Sequence, residues 1–208
     1  ITIEKYGNWR YGYPSKSVLG YYKKSFLVLE KCPEENDDNN IYEISINKSQ
    51  AQKKYDYLFS SAGPGCTYVM KKDFLIEFKK VLIKKEESLK GIALHDWLLY
   101  AFARINNYKW YVDKDTTVLY RQHSFNEFGA NSGFKAFKVR WHKARNGWYR
   151  NQIINLAKFC DFDNKITKAI KKNRYIDRIF LLTQIFKLRK KTSEVIVLFL
   201  ILIIPGFE

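Results

Sequence analysis

Apolar residues recur at helical spacing through most of the chain after residue 70. Those in residues 72–85 fall on one face and predict a helix, and a second apolar stripe runs through residues 94–105. The second stripe places His95 and Asp96 near the start of its helix. Residues 134–208 repeat this spacing with Lys and Arg on the intervening faces, which predicts a series of basic amphipathic helices.

Strand-like runs are shorter and lie before the first predicted helix and between the second helix and the basic region. The pattern predicts strands at residues 26–29, 41–46, 109–112 and 116–121, and a turn at residues 63–65 before another short extended run.

Composition narrows the class of protein. The 208 residues are 46% hydrophobic and 28% charged, which is enough apolar material for one core and excludes a disordered tail or a collagen-like repeat. The three cysteines are widely spaced without a C-x-x-C pair, so we expect reduced thiols rather than a structural zinc site. Residue 1 is Ile and no signal peptide is recognisable, so we expect a fragment of a longer cytoplasmic protein.

The net charge of +16 is unevenly distributed. Residues 1–133 carry a net charge of +4, whereas residues 134–208 carry +12. We therefore divide the chain into a globular domain, residues 1–133, and a basic helical region, residues 134–208. A surplus of this size favours a polyanionic partner.

The end of the basic region combines charge with an apolar run. Basic residues 187–191 precede ten consecutive apolar residues at 195–204, too few for a membrane span, which needs about 20. This pattern favours a segment that lies in the interface of an anionic membrane. The alternative is a core helix with a solvated basic face.

Three places carry residues suited to chemistry. Asp96, ionised at a helix start, could accept a proton from a hydroxyl group, although it could equally cap the helix. The turn at residues 63–65 would let backbone approach a ligand, although Gly-Pro-Gly is often only a turn. Arg121 and His123 end a predicted strand and could bind phosphate or metal, or simply fix the following loop.

The order of these motifs resembles family 2 glycosyltransferases, in particular their bacterial rhamnosyltransferase-like branch. The resemblance covers residues 55–131 and rests on GPGCTYV at 63–69, HDW at 95–97, WYVD at 110–113 and LYRQHSFNEFGAN at 119–131. It implies the α/β fold class and a GT-A fold, in which a Rossmann-like sheet with flanking helices holds a nucleotide-sugar; this chain would contain part of that sheet, followed by the basic α-helical region. The order of the motifs is more specific than any single motif.

The resemblance also implies roles for individual residues. Asp96 would be the base of an inverting sugar transfer, with His95 and Trp97 shaping the acceptor side. The sugar pocket would be lined by Gly63, Gly65, Cys66 and Thr67. Arg121 and His123 would lie near the diphosphate and its divalent cation, Mg²⁺ or Mn²⁺, with His123 as a metal ligand.

The family's donor-binding half, with its Asp-x-Asp motif, is not recognisable in residues 1–54. We therefore interpret the chain as the C-terminal, acceptor-side part of a glycosyltransferase that acts on a saccharide or lipid-linked saccharide at the inner face of a bacterial cell membrane. A non-catalytic membrane scaffold is one alternative. A nucleic-acid-binding module is another, but the basic residues lie on amphipathic helices beside an apolar run, which suits lipid better than a nucleic-acid groove.

Overall fold

A computed structural model describes residues 20–23, 26–31, 41–45, 49–113, 118–122 and 133–203. Its α-helices are α1 (Lys72–Lys84), α2 (His95–Ile105), α3 (Gly133–Arg145), α4 (Trp148–Phe159), α5 (Lys165–Lys172), α6 (Tyr175–Thr183) and α7 (Thr192–Ile203). Its strands are β1 (Gly20–Lys23), β2 (Phe26–Lys31), β3 (Ile41–Ser45), β4 (Val69–Met70), β5 (Tyr111–Asp113) and β6 (Val118–Gln122). Short 3₁₀ turns lie at Asp56–Leu58, Gly65–Thr67, Glu86–Gly91 and Ile185–Lys187. The described part is mostly helical.

The strands form two three-stranded sheets of mixed direction, in the orders β4-β1-β5 and β3-β2-β6. In each sheet the central strand is parallel to one neighbour and antiparallel to the other; Tyr21 lies opposite Tyr111 in the first and Leu27 opposite Leu119 in the second. All four strands predicted from the sequence are present. Two small sheets do not establish a GT-A sheet.

The strand predicted at residues 109–112 begins two residues late. Trp110 is buried, and its carbonyl accepts a hydrogen bond from Gln52 Nε2 at 2.6 Å. Its backbone is therefore engaged by a side chain before the sheet pairing at Tyr111 begins.

Helix α2 is the centre of the hydrophobic core. Its residues 97–103 are all buried, because the helix is apolar on every face and other elements pack around it. Phe102 packs against Phe78 of α1 with ring centroids 5.0 Å apart, and Phe159 of α4 contacts Phe78 from another side. The cluster runs from Tyr57 to Leu202 and so includes residues on both sides of position 133.

The basic helical region is helical as predicted, in α3 to α7. One face of α7 packs onto the core through three buried residues, Val195, Leu198 and Leu202. Just before it, Leu188 is fully buried and the Lys187 carbonyl accepts the Tyr55 N–H at 2.9 Å. The core-helix alternative is therefore right for this face of the segment. The opposite face of α7 is exposed.

In the described ranges no helix is both long enough and apolar enough to cross a bilayer.

A buried carboxylate links segments that lie far apart in the described chain. Asp56 has no exposed surface, and its two oxygens lie 3.2 Å from Arg104 Nη1 and 3.2 Å from Lys190 Nζ. Tyr100 accepts a hydrogen bond from Arg104 at 2.7 Å and donates to Asp56. The Arg104 guanidinium also donates to the Lys53 carbonyl at 3.1 Å. One carboxylate thus pairs with two largely buried cations that come from α2 and from the segment before α7.

The substitution Asp56→Asn should strongly lower the free energy of unfolding of the protein. The amide keeps the shape of the side chain but removes the charge, so Arg104 and Lys190 remain buried without a counter-ion, at a cost of about 3 kcal/mol. Urea unfolding of the 208-residue chain measures this free energy.

The matched control for Asp56→Asn is Glu87→Gln, which removes the carboxylate of an exposed pair with Lys90. Such a pair contributes well under about 1 kcal/mol, so the control should unfold like the parent protein. Equal, small losses in the two variants would contradict the role given to the Asp56 cluster.

Stability should also fall in strong alkali because tyrosines are buried. Burial raises the pKa of Tyr57 to about 12, and burial raises the pKa of Tyr100 as well. Both phenols stay neutral in the folded protein at a pH where the unfolded chain ionises them, so their contribution is complete below about pH 10 and is lost as the pH rises toward 12.

The free energy of unfolding should fall between about pH 9 and about pH 11, and Tyr57→Phe should make this fall about 1 kcal/mol smaller. Tyr175→Phe is the control, because the Tyr175 side chain is already exposed. An unchanged pH dependence in Tyr57→Phe would disprove this assignment.

Candidate functional site

The Gly-Pro-Gly turn is held by its own hydrogen bonds. The Tyr68 hydroxyl donates to the Gly63 carbonyl at 2.8 Å and accepts the Gly63 N–H at 3.2 Å. The Thr67 N–H and hydroxyl both donate to the Pro64 carbonyl, at 3.1 and 2.7 Å. Thr67 is buried, so its side chain supports the turn from inside. The turn therefore presents a fixed backbone edge.

This edge lies directly against the start of α2. A Cβ placed on Gly65 would stand 3.0 Å from His95 Nε2 and 3.2 Å from Asp96 Cβ. Only a residue without a side chain fits at that distance without displacing its neighbours. The structure thus brings together Gly65, His95 and Asp96, which the sequence places about thirty residues apart.

Asp96 is the second residue of α2. Its Oδ1 accepts the Trp97 N–H at 2.8 Å, and the first turn of a helix favours the ionised carboxylate. The residue before the helix is Leu94, which makes no side-chain cap. Asp96 therefore occupies the first turn rather than the N-cap position. It is half-buried and His95 is exposed, so both lie at the surface where the turn meets the helix.

Trp97 lies beneath this surface. Its side chain is buried, and its Nε1 donates to the Tyr57 carbonyl at 2.8 Å. This contact anchors the first turn of α2 to the 3₁₀ turn that carries Asp56. The predicted role of Trp97 on the acceptor side stays a prediction, and the position that the structure gives it is that of a support for Asp96.

Two amide side chains of α4 hold the backbone that leads into α2, and the sequence did not single them out. Gln152 donates to the Gly91 carbonyl at 3.0 Å and accepts the Ala93 N–H at 2.9 Å. Asn155 donates to the same Gly91 carbonyl at 2.8 Å. Gln152 lies four residues before Leu156 on the buried stripe of α4, and this polar residue on an apolar face is the signal that could have identified it.

For three predicted site residues the structure describes the backbone alone or nothing at all. Cys66 lies in the 3₁₀ turn Gly65–Thr67, and Arg121 lies in β6, but nothing is described of their side chains. His123 lies outside the described residues. Within those residues, no group of three or more His, Cys, Asp or Glu side chains could hold a metal ion.

Comparison with known proteins finds a curated relative of this chain. The chain is 45% identical over 162 residues to the dTDP-rhamnosyl transferase RfbG of Shigella flexneri. The chain is similar to a rhamnosyltransferase. The matched region is 78% of this chain and 56% of that relative, so the chain spans little more than half the relative's length.

Comparisons of the chain with protein-family models and with solved structures give no match. No family model matches the chain, and no solved structure is similar to it. The resemblance to a partial glycosyltransferase of the rhamnosyltransferase type is thus confirmed by the curated relative, whereas membership of family 2 stays a prediction.

Gly65→Ala should destabilise the contact between the turn and α2. The new methyl group would meet His95 Nε2 at 3.0 Å, and overpacking of this kind costs about 1 kcal/mol. In a His95→Ala background the same change should cost clearly less, because the imidazole no longer occupies the space. Urea unfolding of the four proteins of this double-mutant cycle measures the coupling. Additive effects would mean that Gly65 and His95 do not touch.

Proposed function

We propose that this chain is the acceptor-side part of an inverting glycosyltransferase that transfers rhamnose from a dTDP-linked donor to a saccharide. The observation that carries the proposal is the contact of Gly65 with His95 and Asp96 in a chain 45% identical to a dTDP-rhamnosyl transferase. The dTDP-linked donor is taken from the name of that relative. A GT-A fold and a role in the synthesis of cell-surface polysaccharide are parts of the same proposal.

In this proposal Asp96 is the catalytic base. Its carboxylate accepts the proton of an acceptor hydroxyl group while that oxygen forms a bond to the anomeric carbon of the donor sugar. The bond from the anomeric carbon to the diphosphate oxygen breaks, and the nucleoside diphosphate leaves with the electron pair. Attack on the face opposite the leaving group inverts the anomeric centre. The half-buried position of Asp96 beside an exposed His95 leaves room for an acceptor at the surface.

The described residues divide into those that could contact substrate and those that support them. Gly63 and Gly65 offer backbone to the sugar, and His95 stands beside the base. Trp97 and Thr67 are buried and act from beneath. We propose that Arg121 lies near the diphosphate of the donor. A divalent cation held in part by His123 also remains proposed, and we assign it no step.

We further propose that the enzyme works as a peripheral protein at the inner face of the bacterial cell membrane, on a lipid-linked acceptor. The +12 net charge of residues 134–208 supports an anionic lipid surface. We do not propose nucleic acid as a partner, because the basic residues accompany exposed apolar ones on the same helices.

Asp96→Asn should lower the rate of rhamnosyl transfer by about a hundredfold or more while the protein stays folded. The amide keeps the hydrogen-bonding shape but can no longer accept the acceptor proton. The measurement is release of dTDP from dTDP-rhamnose by the full-length protein that contains this chain, with an oligosaccharide acceptor. Circular dichroism and urea unfolding verify the fold.

Asp73→Asn is the matched control. Asp73 is the second residue of α1, just as Asp96 is the second residue of α2, so both changes remove the same favourable charge from a helix N-terminus. The control should retain full transfer activity. Normal turnover in Asp96→Asn would remove Asp96 from its role. Faster transfer by the parent protein from a sugar linked to another nucleoside diphosphate would reject the dTDP-linked donor.

A further inference from the structure

Large apolar side chains are exposed on two neighbouring helices near the end of the described chain. They form what we name the α6–α7 apolar face and are 40% to 81% exposed: Tyr175, Ile176, Ile179, Ile196, Phe199 and Ile203. Phe186, in the turn between the two helices, is also exposed. The sequence pattern places Ile176 and Ile179 on an apolar stripe, and the structure shows that this stripe does not face the core.

Both helices present these residues away from the core. Helix α6 buries Leu181, whereas α7 buries Val195, Leu198 and Leu202. The two helices are in contact, and both belong to the same hydrophobic cluster. Each helix buries one side against a shared core, so the exposed apolar residues of each lie on another side. The outward sides thus provide an apolar surface of two helices.

The surroundings of this face are strongly basic. Residues 165–191 contain ten Lys or Arg and one acidic residue, Asp177. Lys171 and Lys172 are exposed at the end of α5, immediately before α6, and Lys187 is exposed beside Phe186. Asp177 itself is paired with Arg174, which lowers the pKa of the Asp177 carboxyl. An apolar face beside such a cationic rim is complementary to an anionic lipid surface rather than to water.

The basic cluster at residues 187–191 does not all face outward. Lys190 is buried against Asp56, and Arg189 lies 3.9 Å from Glu194 and over the Phe59 ring. These contacts attach the segment to the domain instead of leaving it free to enter lipid. They also fix the orientation of α7, whose outward face follows from this attachment.

We propose that the α6–α7 apolar face docks on the headgroup region of an anionic membrane, with the helices lying in the plane of the interface. This inference rests on the proposed function, because it specifies which surface brings the acceptor-side domain to the membrane. The side chains enter the boundary between headgroups and acyl chains, and the lysines of α5 contact the lipid phosphates. The Asp56 cluster holds α7 in the required position.

The test is co-sedimentation of the 208-residue chain with vesicles of phosphatidylcholine, with and without phosphatidylglycerol. Ile176→Ser combined with Ile196→Ser should reduce partitioning onto the anionic vesicles by about tenfold. Ile76→Ser combined with Ile83→Ser is the matched control, because it makes the same chemical change at two exposed isoleucines of α1. All four isoleucines are exposed, so both double variants should unfold in urea like the parent.

A second variant tests the charge separately. Lys171→Gln combined with Lys172→Gln should weaken binding to the anionic vesicles and leave the weak binding to phosphatidylcholine unchanged.

Equal losses in the α6–α7 variant and in the α1 control would overturn the proposal, as would full binding by the α6–α7 variant. A parent chain that stays in solution as a dimer, and becomes a monomer on Ile176→Ser and Ile196→Ser, would show that a second copy covers the face.

The result is separable from the fate of the proposed function. Vesicle binding needs no sugar donor, and Asp96→Asn should bind vesicles normally. The α6–α7 variant of the full-length protein should still transfer rhamnose to a soluble oligosaccharide. If the α6–α7 variant loses vesicle binding, the docking face is supported. If the parent protein also shows no transferase activity, the proposed function is rejected while the docking face stands.

Discussion

The pairing of Asp56 with Arg104 and Lys190 is the contact on which the arrangement of the described chain depends. A carboxylate without solvent exposure must have its charge compensated, and here the two cations come from α2 and from the segment before α7. Arg104 belongs to the helix that begins with the candidate base, and Lys190 to the segment that leads into the exposed apolar helix. The same buried charge therefore orients both the candidate site and the α6–α7 apolar face.

The candidate site is built by supports that act from several directions. The Tyr68 hydroxyl closes the Gly-Pro-Gly turn, Trp97 anchors α2 to the backbone at Tyr57, and Gln152 holds the approach to the helix. None of these three has to touch substrate to matter. They determine the relative position of Gly65 and Asp96, and a catalytic base is effective only when its position is maintained.

The basic region serves the fold as well as the surface. Lys85 from the first part of the chain donates to the Phe159 carbonyl at 2.7 Å, and Arg150 of α4 donates to the carbonyls that end α5 at 2.9 Å. These contacts join α4 to α1 and to α5. Lys85 and Arg150 thus stabilise helix ends and packing, while exposed lysines of the basic region provide a field at the surface.

The sequence by itself determined the helices, most strand positions and a helix start near His95 and Asp96, because spacing and propensity are local properties. It also contains the ordered motifs by which the chain resembles a rhamnosyltransferase. Only the tertiary structure decided that Gly65 meets His95, that Trp97 is buried, and that Asp56 pairs with Arg104 and Lys190. Such contacts join residues far apart in the chain, and no local pattern specifies them. The same holds for the outward direction of Ile176, since an apolar stripe shows that a helix has a face but not what lies against it.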